Sequence, residues 1–212
     1  MAELIFYTNP QSRGRIVRWM LEELGEPYET VILDYASTLK EEPYLSINPM
    51  GKVPAIRHSG RIVTEVAAIC CYLADAFPRA GLAPATDDRA DYYRWLFFAA
   101  GPVEAAFSNK AAGWEPTPER QRMFGYGNYD LAINTLERAV QGKQYIAADR
   151  FTAADVYVGS QIGFMLQFKL LDPRPAFVDY VKALTERPAY QRAKQIDEQL
   201  IAAAQPQQPQ PA

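Results

Sequence analysis

Three groups of residues are of types, and at spacings, that can do chemistry. The first is the run Asn48-Pro49-Met50-Gly51-Lys52-Val53-Pro54, with Thr64-Glu65 following, Glu65 eleven residues beyond Pro54. Proline cannot donate to a sheet ladder, so Pro54 belongs at the first positions of a strand. A cis Val53–Pro54 bond would leave the Val53 N–H and C=O outside the sheet. An extended peptide can pair with such groups as an added strand does. Glu65 opens a helical run, where its charge favours the helix dipole and the exposed N–H groups can hold an anion. The second group is the set of donors Tyr7, Asn9 and Ser12, placed between an apolar run and a helix. A hydroxyl or amide there can stabilise a developing anion. Ser12 also suits a helix cap, and Tyr7 also suits a strand core. The third is Arg13, Arg15 and Arg18, of which Arg13 and Arg18 fit structural ion pairs better than ligand contacts. Redox and metal chemistry on the chain's own side chains are not indicated. The two cysteines, Cys70 and Cys71, are adjacent in a helical pattern and read as small buried residues. There is no CxxC, and a lone histidine, His58, anchors no metal cluster, so no metal is expected.

The elements that must position these groups follow from pattern. Leu4-Ile5-Phe6-Tyr7 reads as a buried strand. Ile16, Val17, Met20, Leu21 and Leu24 form a helical stripe that Gly25 stops, with Pro27 beyond. Tyr28 to Leu33 is a second strand, and β-α-β implies a parallel pair with a right-handed crossover. Residues 53–57 and 61–64 flank His58-Ser59-Gly60 as a hairpin, and Glu65 to Ala76 has helical spacing. This order, with proline opening the third strand, is that of a thioredoxin-like domain. The breakers between Phe77 and Pro84 make a linker. Residues 87–204 then read as helix after helix, Gly101-Pro102 bending one of them. Thr152 and Asp155 have the spacing of a capping box, with Phe151 and Val156 as its staple. The fold class is α+β: a thioredoxin-like domain over 1–80, an all-α domain over 87–204, and a disordered Gln/Pro tail over 205–212.

Composition limits the partners. With 49% hydrophobic residues the chain can bury a sizeable core. A net charge of −3 gives no basic field for nucleic acid. No apolar run spans a bilayer, and the amino terminus lacks a signal-peptide pattern, so a cytoplasmic protein is expected. Two cysteines outside any pairing pattern fit a reducing compartment.

The run from Asn48 to Pro54 with Thr64-Glu65 resembles the glutathione site of the glutathione S-transferases, and residues 7–24, 40–54 and 62–75 resemble that family closely. The resemblance implies a transferase that joins the thiolate of glutathione to a small hydrophobic electrophile, with glutathione as co-substrate and a homodimer as the assembly. It implies that Glu65 meets the γ-glutamyl end, that Val66 binds the α-carboxylate through its N–H, and that Val53, beside Pro54, pairs with the cysteinyl part. Lys40 and Lys52 would approach the glycine carboxylate. The family activates the thiol with Ser, Tyr or Cys after the first strand. Ser12 matches the Ser type, and Tyr7 and Asn9 are the alternatives. The second substrate would lie against the first long helix after the linker, with Phe107 and Trp114 as walls. In the family the capping box is a folding device. One departure is Val66, where members often carry serine; a hydroxyl donor is missing and weaker glutathione binding is expected. A glutathione-dependent disulfide reductase or peroxidase, or a ligand-binding module without activity, are the alternatives. An isomerase is disfavoured, because its Ser-Ser-x-x-Ser loop is absent.

Overall fold

The computed structural model describes residues 3–204; the tail expectation for 205–212 lies outside them. Strand β1 (Leu4–Thr8) is buried along its whole length. Helix α1 (Gly14–Leu24) carries the chain over to β2 (Glu29–Ile32), which pairs with β1 in parallel. The buried face of α1 includes Ile16, Val17, Met20, Leu21 and Leu24. The helix ends where Gly25, at φ 70°, donates its N–H to the Leu21 carbonyl. Strand β3 (Ala55–His58) pairs antiparallel with β1, and β4 (Arg61–Thr64) pairs antiparallel with β3. Ser59 and Gly60, both at positive φ, make the two-residue hairpin between them. The sheet order is β2-β1-β3-β4. Helix α2 (Val66–Ala76) follows. This is the thioredoxin-like order expected from the sequence. Cys70 on α2 is buried, and its thiol is pushed up by desolvation; Cys71 is half-buried, more open than expected, and neither forms a disulfide.

The following helices are α3 (Ala90–Phe98), α4 (Glu104–Ala111), α5 (Tyr129–Val140), α6 (Ala153–Gln167) and α7 (Pro175–Thr185). Between α3 and α4 the chain makes a π-helical turn, Ala99–Val103, around Gly101-Pro102. Pro102 has no N–H to give, and the wider turn absorbs the interruption. The capping box forms as its spacing predicts. Asp155 accepts from the Thr152 N–H at 2.8 Å, from Ile146 N–H at 2.8 Å and from the Tyr180 hydroxyl at 2.8 Å. Burial raises the Asp155 carboxyl above the usual range, and these donors act against that rise. The linker is tied to the same helices. Ala153 donates its N–H to the Leu82 carbonyl at 2.8 Å, and the Arg150 guanidinium donates to the Gly81 and Ala83 carbonyls.

Helix α8 (Pro188–Ala204) corrects the domain boundary drawn from sequence. The chain forms two compact units: one runs to Leu73 and resumes at Arg187, the other is Ala74–Glu186. The last helix therefore belongs with the sheet, packed on α1. Buried Arg18 donates to buried Asp197 at 2.7 Å. Arg187 grips Glu23 through two bonds of 2.7 and 2.8 Å, Arg192 meets Glu22 at 3.2 Å, and the Trp19 and Tyr190 rings pack edge to face at 5.0 Å. A helical pattern says that a face is buried, and not against what.

Candidate functional site

Sheet register gathers three of the candidate segments at one end of the sheet. Tyr7 pairs with Ala55, and Ala55 pairs with Thr64, so these three residues form a row across β1, β3 and β4. The chain beyond β1 (Asn9 to Ser12), the chain before β3 (Val53-Pro54) and the chain beyond β4 (Glu65-Val66) all leave from that row. Helices α1 and α2 begin there as well, at Gly14 and Val66. Two helix N-termini bring partial positive charge and exposed N–H groups to one edge, a setting suited to an anion.

The segment entering β3 is built on a polar knot. Pro54 is buried and its bond to Val53 is cis. The ladder begins at Ala55, so Val53 stands outside it. Just before it, the Lys52 carbonyl takes two donors, the Tyr44 hydroxyl at 2.6 Å and the Asn48 side-chain amide at 2.7 Å. The Asn48 Oδ1 accepts from Met50 N–H at 3.1 Å, and its carbonyl accepts from Gly51 N–H at 2.8 Å. Tyr44 itself is buried among Ile5, Tyr7, Leu33, Leu39 and Ala55. Desolvation pushes its hydroxyl up to about 12. The Lys40 ammonium donates to the Gly51 carbonyl at 2.7 Å, which sets it beside the Lys52–Val53 stretch; Lys52 is exposed.

At the other side of the row, the Glu65 carbonyl accepts from Ile69 N–H at 2.8 Å, so Glu65 is the residue that caps α2. Its φ is +65°. A glutamate in the left-handed region costs roughly 1–3 kcal/mol, and such residues cluster where a side chain must be aimed for function. Its side chain is exposed, and Val66, half-buried, is the first helical residue.

Of the three donor candidates, Ser12 and Asn9 are hydrogen-bonded within the chain and Tyr7 is packed in the core. The Ser12 hydroxyl donates to the Asn9 carbonyl at 2.7 Å and accepts from Gly14 N–H at 2.8 Å, so it caps the start of α1. The fit is close: a Cβ at Gly14 would lie 1.9 Å from Thr8 Oγ1 and 2.9 Å from Ser12 Oγ. The Asn9 amide donates to the Leu33 carbonyl at 2.8 Å and accepts from Gln11 N–H at 2.9 Å. Its nitrogen carries a second hydrogen. Tyr7 is buried in the core cluster, its ring 5.8 Å from that of Tyr44.

The aromatic candidates lie in the second unit and are not drawn into one group. Phe107 is buried on α4, edge-on to Phe164 at 6.3 Å. Trp114 is exposed and meets Phe124 at 5.2 Å. A cavity of about 460 Å³ in the same unit is lined by Asp91 and residues 143–149, and it contains none of the candidate residues. Among the described residues, no group of three or more His, Cys, Asp or Glu side chains is placed to hold a metal ion. No helix there is long and apolar enough to cross a membrane. Sequence reasoning missed Tyr44 altogether and gave Asn48 no task. Only the placement of Asn48 inside the motif run hinted at its role.

Comparison with known proteins bears on this geometry. Residues 12–76 match the family model described as glutathione S-transferase, N-terminal domain. The glutathione S-transferase-like protein OpS6 of Beauveria bassiana is 30% identical over 197 residues, covering 83% of this chain and 87% of its own. Glutathione S-transferase GstA of Escherichia coli O157:H7 is 29% identical over 180 residues, covering 82% and 88%. Among solved structures, a sphingomonad glutathione S-transferase complexed with glutathione is similar at 27% identity and a TM-score of 0.73, covering 92% of this chain and 98% of that one.

Proposed function

Because the chain belongs to the glutathione S-transferase family, we propose that it binds glutathione at the Tyr7–Ala55–Thr64 end of its sheet and joins the glutathione sulfur to a small hydrophobic electrophile. The observation that carries this reading is the register itself, which gathers Val53, Glu65 with Val66, and the Asn9–Ser12 loop at one edge. Glu65 meets the γ-glutamyl amine, and the Val66 N–H at the start of α2 takes the α-carboxylate. The Val53 backbone, beside Pro54, pairs with the cysteinyl part as an added strand would. Lys40 and Lys52 draw the glycine carboxylate.

The thiol must then lose its proton. An ordinary thiol titrates near 8.5, and lowering that by about two units takes roughly 2.7 kcal/mol of preference for the thiolate. Ser12 contributes by turning its hydroxyl proton from the Asn9 carbonyl to the sulfur, while Gly14 N–H goes on holding its oxygen. The second hydrogen of the Asn9 amide is the other available donor. Tyr7 serves less well, since its ring is committed to the core. The thiolate attacks the electrophilic carbon, a C–S bond forms, and a leaving group departs with its electron pair or the electrons pass into an acceptor. Phe107 and Trp114 remain the candidates for contact with the apolar second substrate. The reading extends to a cytoplasmic homodimer. Exposed apolar side chains, Met50 at 67% and Phe97 at 69%, supply surface that a second copy would cover.

The test is ultraviolet titration of the bound thiolate together with turnover of an aryl halide. Wild type is expected to show a thiolate pKa about two units below 8.5, and Ser12→Ala to bring it back up by about one unit. Turnover of a hydroxyethyl disulfide with none of the aryl halide would assign the protein as a disulfide reductase instead.

A further inference from the structure

We infer that Tyr44 is a positioning residue for glutathione, its buried hydroxyl fixing the Lys52–Val53 peptide so that the Val53 N–H faces the ligand. The inference rests on the reading that the Val53 backbone pairs with the cysteinyl part. A peptide unit is planar, and in the trans form its C=O and N–H point in opposite directions. The cis bonds of the described chain are Glu42–Pro43 and Val53–Pro54, so the Lys52–Val53 peptide is trans. Whatever holds the Lys52 oxygen therefore aims the Val53 N–H the other way.

That oxygen is held twice, by the Tyr44 hydroxyl at 2.6 Å and by Asn48 Nδ2 at 2.7 Å. A carbonyl has two lone pairs, and both are engaged. Tyr44 also governs the second donor. Its own carbonyl accepts from Ile47 N–H at 2.8 Å and from Asn48 N–H at 2.9 Å, which turns the Asn48 side chain back onto the same oxygen. The ring that carries the hydroxyl is 2% exposed and packs on Tyr7 and Leu39 within the core cluster. The hydroxyl is thus mounted on the rigid part of the unit, while the residues it aims lie in a loop. Burial keeps the phenol protonated to about pH 12, so the donor is present at any working pH. This also gives Tyr7 a task other than thiol activation: it is part of the wall that locks the Tyr44 ring.

Tyr44→Phe keeps the ring and removes only the donor. Calorimetry with glutathione is expected to show about a tenfold weaker Kd, about 1.4 kcal/mol. The KM for glutathione is expected to rise in step. The kcat at saturating glutathione, the bound-thiolate pKa and the KM for the aryl halide stay as in wild type, because the Val53 bond is made equally in the ground and transition states. Asn48→Ala, which removes the other donor from the same oxygen, is expected to repeat the pattern. The double variant is expected to depart from additivity, as changes at one shared acceptor do. Tyr28→Phe is the control for simple loss of a part-buried hydroxyl in the same unit; its partners are Glu22 and Arg18. It is expected to leave the glutathione Kd alone. Wild-type affinity in both Tyr44→Phe and Asn48→Ala would overturn the inference and leave the proposed function standing. So would a joint loss of kcat, glutathione affinity and Tm matched by Tyr28→Phe. No binding heat with wild type would overturn both.

Discussion

Val66 stands where the family resemblance leads one to expect serine, at the start of α2 in the proposed glutathione site. The residue opens α2 directly after strained Glu65, so its N–H remains available to a carboxylate while its side chain adds no donor. A hydrogen bond to a charged group contributes about 1.5–3 kcal/mol. Val66→Ser is therefore expected to tighten glutathione binding by about tenfold in calorimetry; an unchanged or weaker Kd would show that the missing hydroxyl is not limiting. At this scale the backbone places of Pro54 before β3 and Glu65 before α2 were legible in sequence, because proline, and a glutamate at a helix start, carry backbone meaning. Tyr44 was not. Its hydroxyl bond to the Lys52 carbonyl spans a loop without regular periodicity, and a buried tyrosine between Pro43 and Leu45 looks like any core aromatic. Ser12 shows the converse difficulty. Its position at a helix start is readable, but capping and thiolate stabilisation draw on the same hydroxyl, and spacing does not separate them.

Among the elements, the strands, α1 and the capping box at α6 were readable because each rests on local rules: alternation, a glycine stop, a Thr-x-x-Asp spacing. The place of α8 was not, because its partners lie far back in the chain. The Arg18–Asp197 pair joins residues 179 apart. Both residues are 1% exposed, and Arg18 also reaches the Tyr28 hydroxyl at 3.2 Å. Removing one member of such a pair strands a buried charge, at about 3–5 kcal/mol, whereas replacing both by apolar groups is often neutral. Asp197→Ala is expected to lower the urea midpoint by a corresponding amount, and Arg18→Met with Asp197→Leu to recover most of it. A single-variant loss under about 0.5 kcal/mol would mean that α8 is held by its apolar and surface contacts instead. The stake is functional, since α1 carries the Ser12 cap at one end and packs on α8 along its length.

For the whole molecule, the α+β organisation and the thioredoxin-like unit followed from element order, while the boundary between units did not. The chain leaves the first unit at Leu73, ahead of the breakers between Phe77 and Pro84, and returns to it at Arg187; no local signal marks the return. The second unit holds Phe107 and Trp114 in separate aromatic groups. The proposed glutathione site rests on three segments distant in sequence that meet at one sheet edge beside two helix starts. The most direct test is to titrate glutathione into isotopically labelled protein and follow every backbone amide by nuclear magnetic resonance. The account predicts that the largest shifts fall on Val53, Glu65, Val66 and the Asn9–Gly14 loop. No shifts at saturating glutathione, or shifts confined to other parts of the chain, would contradict it.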